Sequence, residues 1–347
     1  MTARPRIAAF PKCYLESIRP GGTMTVFEWI DMARSLDADG LEMYEGFFTS
    51  WETGYLDQVG EAIRSAGFTM PMLCCSPDFT NPDRAARQRA VERHEILIAA
   101  TRRLGGPRAV CRVLSGQRYP EVSREQGLEW VAECIQALIP VAREHRIVLG
   151  LENHYKDGFW AYPEFAQKQD VFLALLDSIP EREWFGVQYD PSNAIVAGDD
   201  PIELLQRVAD RVVSMHASDR FLAEGASLES LRQSDGTLGY SPLLCHGVTG
   251  RGLNDYDRIF RLLKAHGYTG WISIEDGMNG MEEMAESLAC LGRMGAKHSG
   301  ECNAPSMAAS RRPRRRQPAP RGDAARHPAR SAGLRTRPSA GRTPGAT

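Results

Sequence analysis

Apolar and polar positions follow two alternating patterns from residue 7 to residue 294. Short apolar runs of strand length alternate with longer segments that carry one apolar stripe, as amphipathic helices do. The predicted strands are 7–13, 40–45, 69–75, 109–114, 146–152, 185–190, 212–216 and 270–275. The predicted helices are 25–36, 55–66, 84–104, 125–145, 163–178, 201–209, 255–266 and 282–294. This strict alternation predicts a (β/α)8 barrel over residues 1–297. A doubly wound open sheet is the alternative, but the sequence contains no Gly-rich phosphate loop.

The last four predicted strands all end in a side chain that can bind a metal ion. The strand at 146–152 is apolar on both faces and ends at Glu152, as a buried parallel strand does where it emerges. The next three strands end in Asp190, His216 and Glu275. In α/β barrels this edge carries the functional residues, so the four side chains are predicted to bind one divalent cation. A single glutamate at the rim is often only a solvated or salt-bridged side chain, but four such residues on consecutive strands favour a metal site.

The composition changes sharply near the C-terminus. Residues 301–347 contain 11 Arg, two acidic residues and seven Pro, and Met307 and Leu334 are the only large apolar residues. Such a segment cannot bury enough surface to offset the entropy of ordering it, so residues 298–347 are predicted to be a disordered Arg/Pro-rich tail. The Arg run at 311–316 could bind an anionic surface, although a dispensable or aberrant extension is the favoured interpretation.

Charge, cysteine content and hydropathy limit the partners and the compartment. The net charge is −2 overall and +9 in residues 301–347, which leaves −11 for residues 1–300 and argues against nucleic acid as a partner of the barrel. No apolar segment resembles a signal peptide or approaches the roughly 20 residues of a membrane span. The eight cysteines include no CxxC pair, so reduced thiols are expected. We therefore expect a cytoplasmic protein without a membrane partner, and homo-oligomer formation stays open.

Four stretches resemble the sugar phosphate isomerase/epimerase group, the xylose-isomerase-like barrels that include ketose 3-epimerases, inosose dehydratases and family-IV AP endonucleases. These stretches are 150–154 (GLENH), 189–193 (YDPSN) with 198–201 (GDDP), 211–219 (RVVSMHASD) and 267–275 (GYTGWISIE). The resemblance covers residues 7–295, and the metal ligands of the family fall on Glu152, Asp190, His216 and Glu275. The expected cofactor is a divalent metal ion, with Mn²⁺ favoured and Mg²⁺, Co²⁺ and Zn²⁺ as alternatives.

The sequence departs from the family pattern at two positions. Asn193 stands where the epimerases and endonucleases often have a histidine, which disfavours a trinuclear zinc endonuclease site. Leu222 stands where the epimerases have an arginine, so the nearest arginine, Arg220, is the candidate for that substrate contact.

The resemblance implies enolisation of a sugar. A metal ion bound to the carbonyl and hydroxyl oxygens of a ketose acidifies the neighbouring C–H and stabilises an enediolate, and the family precedent makes Glu152 and Glu275 proton carriers as well as ligands. The predicted function is a metal-dependent isomerase or epimerase of a keto sugar, keto-inositol or related polyol. A lyase or dehydratase that acts on a keto sugar or inosose with the same ligands is the alternative. A sugar- or metal-binding protein without turnover is less favoured, because binding alone does not require two bases.

The candidate substrate contacts follow from position along the chain. His154 lies two residues beyond Glu152 and therefore on the same strand face, although a capped histidine at the rim explains it equally well. His246 and Arg251 lie in a long Gly-rich loop predicted for 220–253, where a mobile lid would lie. Candidates for an apolar wall around a sugar ring are Trp51, Phe159 and Trp160.

Overall fold

The computed structural model describes residues 5–233, 241–276 and 278–299. Its strands are β1 (Arg6–Ala9), β2 (Gly40–Leu41), β3 (Met43–Tyr44), β4 (Met72–Cys74), β5 (Val110–Val113), β6 (Val148–Glu152), β7 (Phe185–Tyr189), β8 (Val212–Ala217), β9 (Asp219–Leu222), β10 (Leu244–Gly247) and β11 (Trp271–Ile274). Its helices are α1 (Leu15–Ile18), α2 (Val26–Met32), α3 (Thr53–Ser65), α4 (Arg84–Gly105), α5 (Arg124–His145), α6 (Gln169–Asp177), α7 (Pro191–Val196), α8 (Pro201–Val208), α9 (Leu228–Gln233), α10 (Tyr256–Ala265) and α11 (Met281–Ser299).

The parallel strands close into a barrel with the helices outside, which confirms the predicted (β/α)8 fold. Neighbouring strands follow the order β2-β1-β11-β8-β7-β6-β5-β4-β3. β2 and β3 are two halves of one strand that is interrupted at Glu42, so both edges of the sheet belong to the same strand. Apolar side chains of the strands and of the inner helix faces form one large buried cluster. Because the strands run parallel, all their carboxyl ends meet at one mouth of the barrel.

Capping residues set several helix boundaries. The Thr25 hydroxyl accepts a hydrogen bond from the backbone N–H of Glu28 at 3.2 Å, and the Glu28 carboxylate accepts one from the backbone N–H of Thr25 at 2.7 Å. This reciprocal pair is a capping box, and it starts α2. Asp200 caps α8 by accepting from two backbone N–H groups, and Pro201 occupies the first helical position.

The structure corrects the predicted boundaries of the helix after β6. That helix was predicted for 163–178 but begins only at Gln169. The reason lies in Glu164, whose side chain turns inward to the loop that follows β5 and whose carboxylate accepts hydrogen bonds from Ser115. Residues 163–165 therefore pair with that loop through backbone hydrogen bonds instead of forming a helical turn.

The predicted loop 220–253 is only partly irregular. It contains an antiparallel hairpin of β9 and β10, in which Arg220 pairs with His246 in register, and the short helix α9. Residues 234–240 of this loop lie outside the described residues. The structure also adds α7, a short helix directly after β7 that was not predicted.

Most of the predicted tail, residues 300–347, lies outside the described residues. The last helix, α11, continues through Ser299 and thus includes two residues that were assigned to the tail. His298 Nε2 lies 2.9 Å from Asp257 Oδ1, and its ring stacks on Phe260. None of the helices in the described part of the chain combines the length and apolar character needed to cross a bilayer. The seven cysteines in the same ranges are free thiols.

Candidate metal centre and active-site cavity

The ends of four strands bring Glu152, Asp190, His216 and Glu275 together at the mouth of the barrel. Glu152 ends β6, Asp190 follows β7, His216 lies near the end of β8, and Glu275 follows β11. All four side chains are buried, and one donor atom from each lies within 4.8 Å of the others. His216 Nδ1 is 3.4 Å from Glu152 Oε1 and 3.8 Å from Glu275 Oε1. The geometry thus unites the residues that the sequence proposed as ligands.

Glu42 orients the imidazole of His216. Its Oε2 lies 2.8 Å from His216 Nε2, and the Ser273 hydroxyl donates to its other oxygen at 2.5 Å. With Nε2–H donating to Glu42, Nδ1 keeps its lone pair and faces Glu152 and Glu275. Nδ1 is buried and has no hydrogen-bond partner. Metal-binding histidines commonly have this arrangement, in which a carboxylate holds the distal N–H and the other nitrogen faces the ion.

The electrostatics of the cluster suit a divalent cation. Burial, together with Glu275 and Glu152, raises the pKa of Asp190 to about 6. Burial lowers the pKa of His216, but Glu42 and Glu275 outweigh it and raise that pKa well above its ordinary value. Both shifts indicate an excess of negative charge at the centre, where a cation would replace the protons. Three carboxylate ligands and one imidazole form a donor set that Mg²⁺, Mn²⁺ and Zn²⁺ accept, so the residues fit a divalent ion.

A positively charged side chain binds one oxygen of Glu152 and another binds one oxygen of Glu275, in each case the outer oxygen, which faces away from the centre. Arg112 Nη1 donates to Glu152 Oε2 at 2.7 Å, and Lys12 Nζ donates to Glu275 Oε2 at 3.0 Å. Burial raises the pKa of Glu152, but Arg112, followed by His154, outweighs it and lowers that pKa overall. Burial also raises the pKa of Glu275, but Lys12 and His216 together outweigh it and lower that pKa overall. Both glutamates are therefore ionised, and each turns its inner oxygen to the centre.

Two asparagines fix the relative positions of β6 and β7 at the site. Asn153 Nδ2 donates to the backbone carbonyl of Asp190 at 2.7 Å, and the backbone N–H of Asp190 donates back to Asn153 Oδ1 at 2.8 Å. Asn193 Nδ2 donates to Glu152 Oε1 at 3.2 Å. Asn193 thus orients the inner oxygen of Glu152.

A cavity of about 400 Å³ adjoins the centre at Glu275, and its volume is within the size range of small-molecule sites. Charged, imidazole and aromatic side chains dominate its inner wall, and they are Phe10, Lys12, Tyr44, Arg112, His154, Tyr155 and Glu275. Lys156, Asp157 and the exposed ring of Phe159 form part of its outer wall. A monosaccharide or a cyclic polyol matches this volume and this polarity.

The structure places the predicted substrate contacts differently from one another. His154 lines the cavity. Arg220 and His246 are not among the residues that line the cavity. Arg220 is buried with its guanidinium 5.7 Å from the centroid of the Tyr155 ring, and its Nη1 donates to His246 Nε2 at 2.8 Å. Burial, followed by Lys12 and Arg220, lowers the pKa of His246 to about 3, so this histidine is neutral at physiological pH.

Arg251 is not brought to the cavity. Its side chain is 65% exposed and forms an ion pair with Glu286 on α11. The loop turns away because Asp219 accepts hydrogen bonds from the backbone N–H groups of Gly250 and Gly252, which directs the intervening side chain to solvent.

Of the three aromatic candidates, only Phe159 lines the cavity. Trp51 packs edge-on against Phe48 at 5.4 Å and beneath the guanidinium of Arg93 at 4.1 Å, so it contributes to packing between the barrel and its helices. Trp160 is half-buried and is not part of the cavity wall.

Sequence reasoning missed four residues of the site: Lys12, Glu42, Arg112 and Tyr155. Glu42 and Arg112 carried a signal, because each is a charged residue inside an otherwise apolar strand run. A buried charge in such a run requires a partner. Lys12 carried the same signal, because it is the one charged residue in the predicted strand 7–13. Its pairing with Glu275 was visible only in three dimensions.

Residues 30–294 match the family model described as the xylose isomerase-like TIM barrel. The chain belongs to this family, whose members include epimerases, isomerases and dehydratases. Among solved structures, a D-tagatose 3-epimerase-like protein superposes with a TM-score of 0.65 at 15% identity and covers 85% of this chain and 98% of that one. A xylose isomerase-like barrel protein from Mycobacterium smegmatis in complex with magnesium gives a TM-score of 0.62 at 16% identity, over 84% and 97% of the two chains. At these identities the likeness establishes the fold alone.

Curated relatives match over shorter stretches. The inosose dehydratase of Geobacillus kaustophilus is 36% identical over 130 residues, which are 37% of this chain and 39% of the relative. The 3-oxo-isoapionate decarboxylase of Pectobacterium atrosepticum is 28% identical over 130 residues, or 38% and 39% of the two chains. The match spans about two fifths of the length of these relatives.

Proposed function

We propose that the protein is a metal-dependent isomerase or epimerase that removes and returns a proton next to the carbonyl group of a keto sugar, a keto-inositol or a related polyol. Glu152, Asp190, His216 and Glu275 would hold the ion, with Mn²⁺ favoured over Mg²⁺, Co²⁺ and Zn²⁺. The proposal rests on one observation, the inward-facing Nδ1 of His216 among three carboxylates, one of which, Glu275, lines a 400 Å³ cavity. The bound ion would supply the Lewis acidity that acidifies the C–H bond.

Glu152 and Glu275 are the proposed proton carriers. They reach the centre from β6 and from the end of β11, with two strands between them, so they can approach a substrate carbon from different sides. Arg112 and Lys12 hold their outer oxygens and keep both groups ionised. A substrate oxygen that draws Lys12 away from Glu275 would free one carboxylate oxygen to accept the proton. His154 and Arg220 are the proposed contacts to the remaining hydroxyl groups.

Dehydration is the second candidate, and the unequal partners of the two glutamates favour it. The guanidinium of Arg112 keeps its protons at any working pH. Burial lowers the pKa of Lys12, but Glu275 and Tyr155 raise it overall, so its ammonium would release a proton once a substrate separates it from Glu275. In an elimination, a carboxylate would take the proton from carbon, a C=C bond would form, and the hydroxyl group on the next carbon would leave with a proton from Lys12 as water. The partial likeness to an inosose dehydratase points the same way.

Deuterium exchange tests the proposal. The metal-loaded protein would be incubated in D₂O with a panel of ketoses and inososes, and mass spectrometry would follow deuterium uptake, epimer formation and loss of water. Glu152→Gln and Glu275→Gln should lower exchange by about 10²–10⁴-fold at retained metal content. Glu16→Gln, which changes a carboxylate of the cavity wall outside the metal cluster, is the matched control and should exchange normally.

The products distinguish the two reactions. Exchange with recovery of an epimer or isomer supports the first candidate, and loss of 18 mass units supports dehydration. Undiminished exchange in a metal-loaded glutamate variant would leave that residue as a ligand only. Binding of ketoses without exchange or product would overturn both candidates and favour a sugar-binding protein.

A further inference from the structure

A second carboxylate–imidazole pair lies beside the metal centre. His154 Nδ1 is 3.5 Å from Glu164 Oε2, and both side chains are buried, with 7% and 0% of their surface exposed. Both atoms are buried without a hydrogen-bond partner elsewhere, so each is the nearest polar group of opposite character to the other. His154 lines the cavity. Because Nδ1 is turned to Glu164, Nε2 is the ring nitrogen that is available to a molecule in the cavity.

Glu164 is held so that only one of its oxygens can serve His154. Its Oε1 accepts hydrogen bonds from the backbone N–H of Ser115 at 2.6 Å and from the Ser115 hydroxyl at 2.5 Å. Its own backbone N–H donates to the carbonyl of Tyr155 at 2.8 Å, which ties Glu164 to the neighbour of His154. The carboxylate cannot rotate without breaking these bonds, so Oε2 stays directed at the imidazole.

A purely structural role explains the hydrogen bonds of Glu164 Oε1 but not why Oε2 of the same carboxylate is buried against His154. Oε1 joins the loops after β5 and β6 through Ser115, and a neutral glutamine would do this equally well. A fully buried carboxylate is costly unless its charge has a partner. His154 is the group that Oε2 faces, and a carboxylate accepts a hydrogen bond only from the protonated nitrogen of an imidazole.

We infer that Glu164 is a positioning residue that holds His154 with the proton on Nδ1, so that Nε2 presents its lone pair to a hydroxyl group of the substrate. The inference rests on the proposed function insofar as it takes the ligand of the cavity to be a sugar or polyol. His154 then accepts a hydrogen bond from that hydroxyl group, and Glu164 acts only through His154. Glu164, ten positions further along the chain, thus determines which ring nitrogen of His154 carries the proton.

Histidine-selective ¹⁵N labelling of the full chain tests the tautomer directly. Long-range ¹H–¹⁵N correlation, at a fixed pH at which the imidazole is neutral, distinguishes Nδ1–H from Nε2–H. The His154 signal is assigned by its loss in His154→Asn. Wild-type protein should show Nδ1–H. In Glu164→Gln the amide group can bond Ser115 through its oxygen and donate its N–H to His154 Nδ1, so the proton should move to Nε2.

Two further variants separate charge from packing. Ser115→Ala removes a bond to the far oxygen of Glu164 and keeps the charge, so Nδ1–H should persist. Glu164→Asp keeps the charge on a shorter side chain and should retain Nδ1–H at least in part. With a substrate identified by deuterium exchange, Glu164→Gln should lower kcat about 10–100-fold and change KM about twofold at most. It should add nothing to the effect of His154→Asn, because a residue that acts through another is not additive with it.

Three results would contradict the inference, and a fourth would contradict only the proposed function. An Nε2–H tautomer in the wild-type protein, which requires no variant to fold, would overturn the inference. An unchanged tautomer in folded Glu164→Gln would do the same, and so would a loss of turnover that adds to that of His154→Asn. A tautomer switch in a protein that turns over no keto sugar or inosose would support the positioning role and contradict the proposed function.

Discussion

Glu42 lies fully buried at the point where the second barrel strand is interrupted, and its contacts explain why a charge is retained there. One oxygen faces His216 Nε2 and the other accepts from Ser273, so the carboxylate touches the proposed metal site only through the imidazole. Regular strand pairing is interrupted at this residue, since β2 ends at Leu41 and β3 begins at Met43. Glu42 thus links a local defect of the barrel to the orientation of one proposed ligand.

Replacement of Glu42 should weaken metal binding without altering the ligands. In Glu42→Gln a neutral amide replaces the carboxylate, so the imidazole becomes less basic and less firmly oriented. Loss of such outer contacts typically lowers metal affinity about 10–100-fold. Calorimetric titration of the chelator-treated protein with Mn²⁺ would measure this, with Glu16→Gln as the control that should bind like wild type. Equal affinity of Glu42→Gln and wild type would contradict the orienting role.

At the scale of elements, close contact with neighbouring strands constrains two facing glycines. Gly150 of β6 and Gly186 of β7 lie opposite each other in register. A Cβ atom at Gly186 would lie 2.4 Å from a methyl group of Val213 and 2.6 Å from the backbone carbonyl of Arg211. A backbone atom cannot move aside as the end of a flexible side chain can. The two strands therefore need glycine here so that the next strand can approach.

Gly186→Ala should lower the free energy of unfolding by about 1–3 kcal/mol, the usual cost of overpacking a core. Gly292→Ala is the matched control, because Gly292 lies in α11 and its Cβ would meet nothing within 4 Å. Alanine favours a helix over glycine by up to about 1 kcal/mol, so the control should unfold at the same or a higher denaturant concentration. Urea unfolding of both variants checks this, and an undiminished midpoint for Gly186→Ala would refute the close-contact argument.

The hairpin of β9 and β10 should make stability depend on pH. His246 has its pKa lowered to about 3 by burial and by Lys12 and Arg220, whereas a histidine in the unfolded chain has a pKa of about 6.5. As the pH falls below about 6.5, His246 binds a proton in the unfolded chain but stays neutral in the folded hairpin. Stability should therefore decrease from about pH 6.5 toward pH 3. His246→Gln, which can still accept from Arg220, should lose less stability over this range.

Thermal unfolding between pH 7 and pH 4, in the presence of a chelator, measures the effect. His266→Gln at the exposed end of α10 is the control and should follow the wild-type curve. Parallel curves for wild type and His246→Gln would show that the folded hairpin accepts the proton.

The sequence predicted the secondary-structure elements and the functional residues at the strand ends better than it predicted the side-chain contacts between elements. Periodicity located every barrel strand, and Glu152, Asp190, His216 and Glu275 could be named because each interrupts an apolar run at a strand end. The hairpin was missed because its strands are short and lie in a Gly-rich segment. The displaced start of α6 depends on Glu164 reaching Ser115, and the roles of Lys12 and Arg112 depend on Glu275 and Glu152. These pairings join residues 40 to 263 positions apart and leave no periodic signal.

At the scale of the whole molecule, the barrel should not require the basic C-terminal segment. A chain that stops after Gly300 retains α11, whose Met284, Leu288 and Leu291 are buried in the core. The removed residues have the composition of a segment that cannot form a core of its own. We expect an unchanged thermal unfolding temperature and unchanged deuterium exchange. A chain that stops after Gly280 is the control and should fail to unfold cooperatively, because it lacks α11. A lower unfolding temperature after the shorter truncation would assign the segment a structural role.

Metal binding should stabilise the whole barrel, because the proposed ligands come from four strands and are assembled only in the folded state. A ligand that binds only the folded chain adds RT ln(1 + [L]/Kd) to the free energy of unfolding, about 2.7 kcal/mol at 100 times Kd. For a domain of this size that corresponds to a rise in Tm of about 5–10 °C. Addition of Mn²⁺ to the chelator-treated protein should produce this rise, and the truncated chain should show it equally, since the ligands all lie within β6 to β11.

His216→Ala tests whether the rise comes from this centre. The variant loses the proposed nitrogen ligand and keeps the three carboxylates, so it should bind Mn²⁺ more weakly and need more of it for the same shift. Glu16→Gln keeps all four ligands and should respond like the wild-type protein. Burial lowers the pKa of His216, but Glu42 and Glu275 raise it, so removing this side chain changes the stability of the protein even without metal. The Tm of the His216→Ala variant in chelator must therefore serve as the baseline for its shift. If His216→Ala and wild type show the same shift at every Mn²⁺ concentration, the ion binds elsewhere, and the centre between the four strands cannot be the metal site.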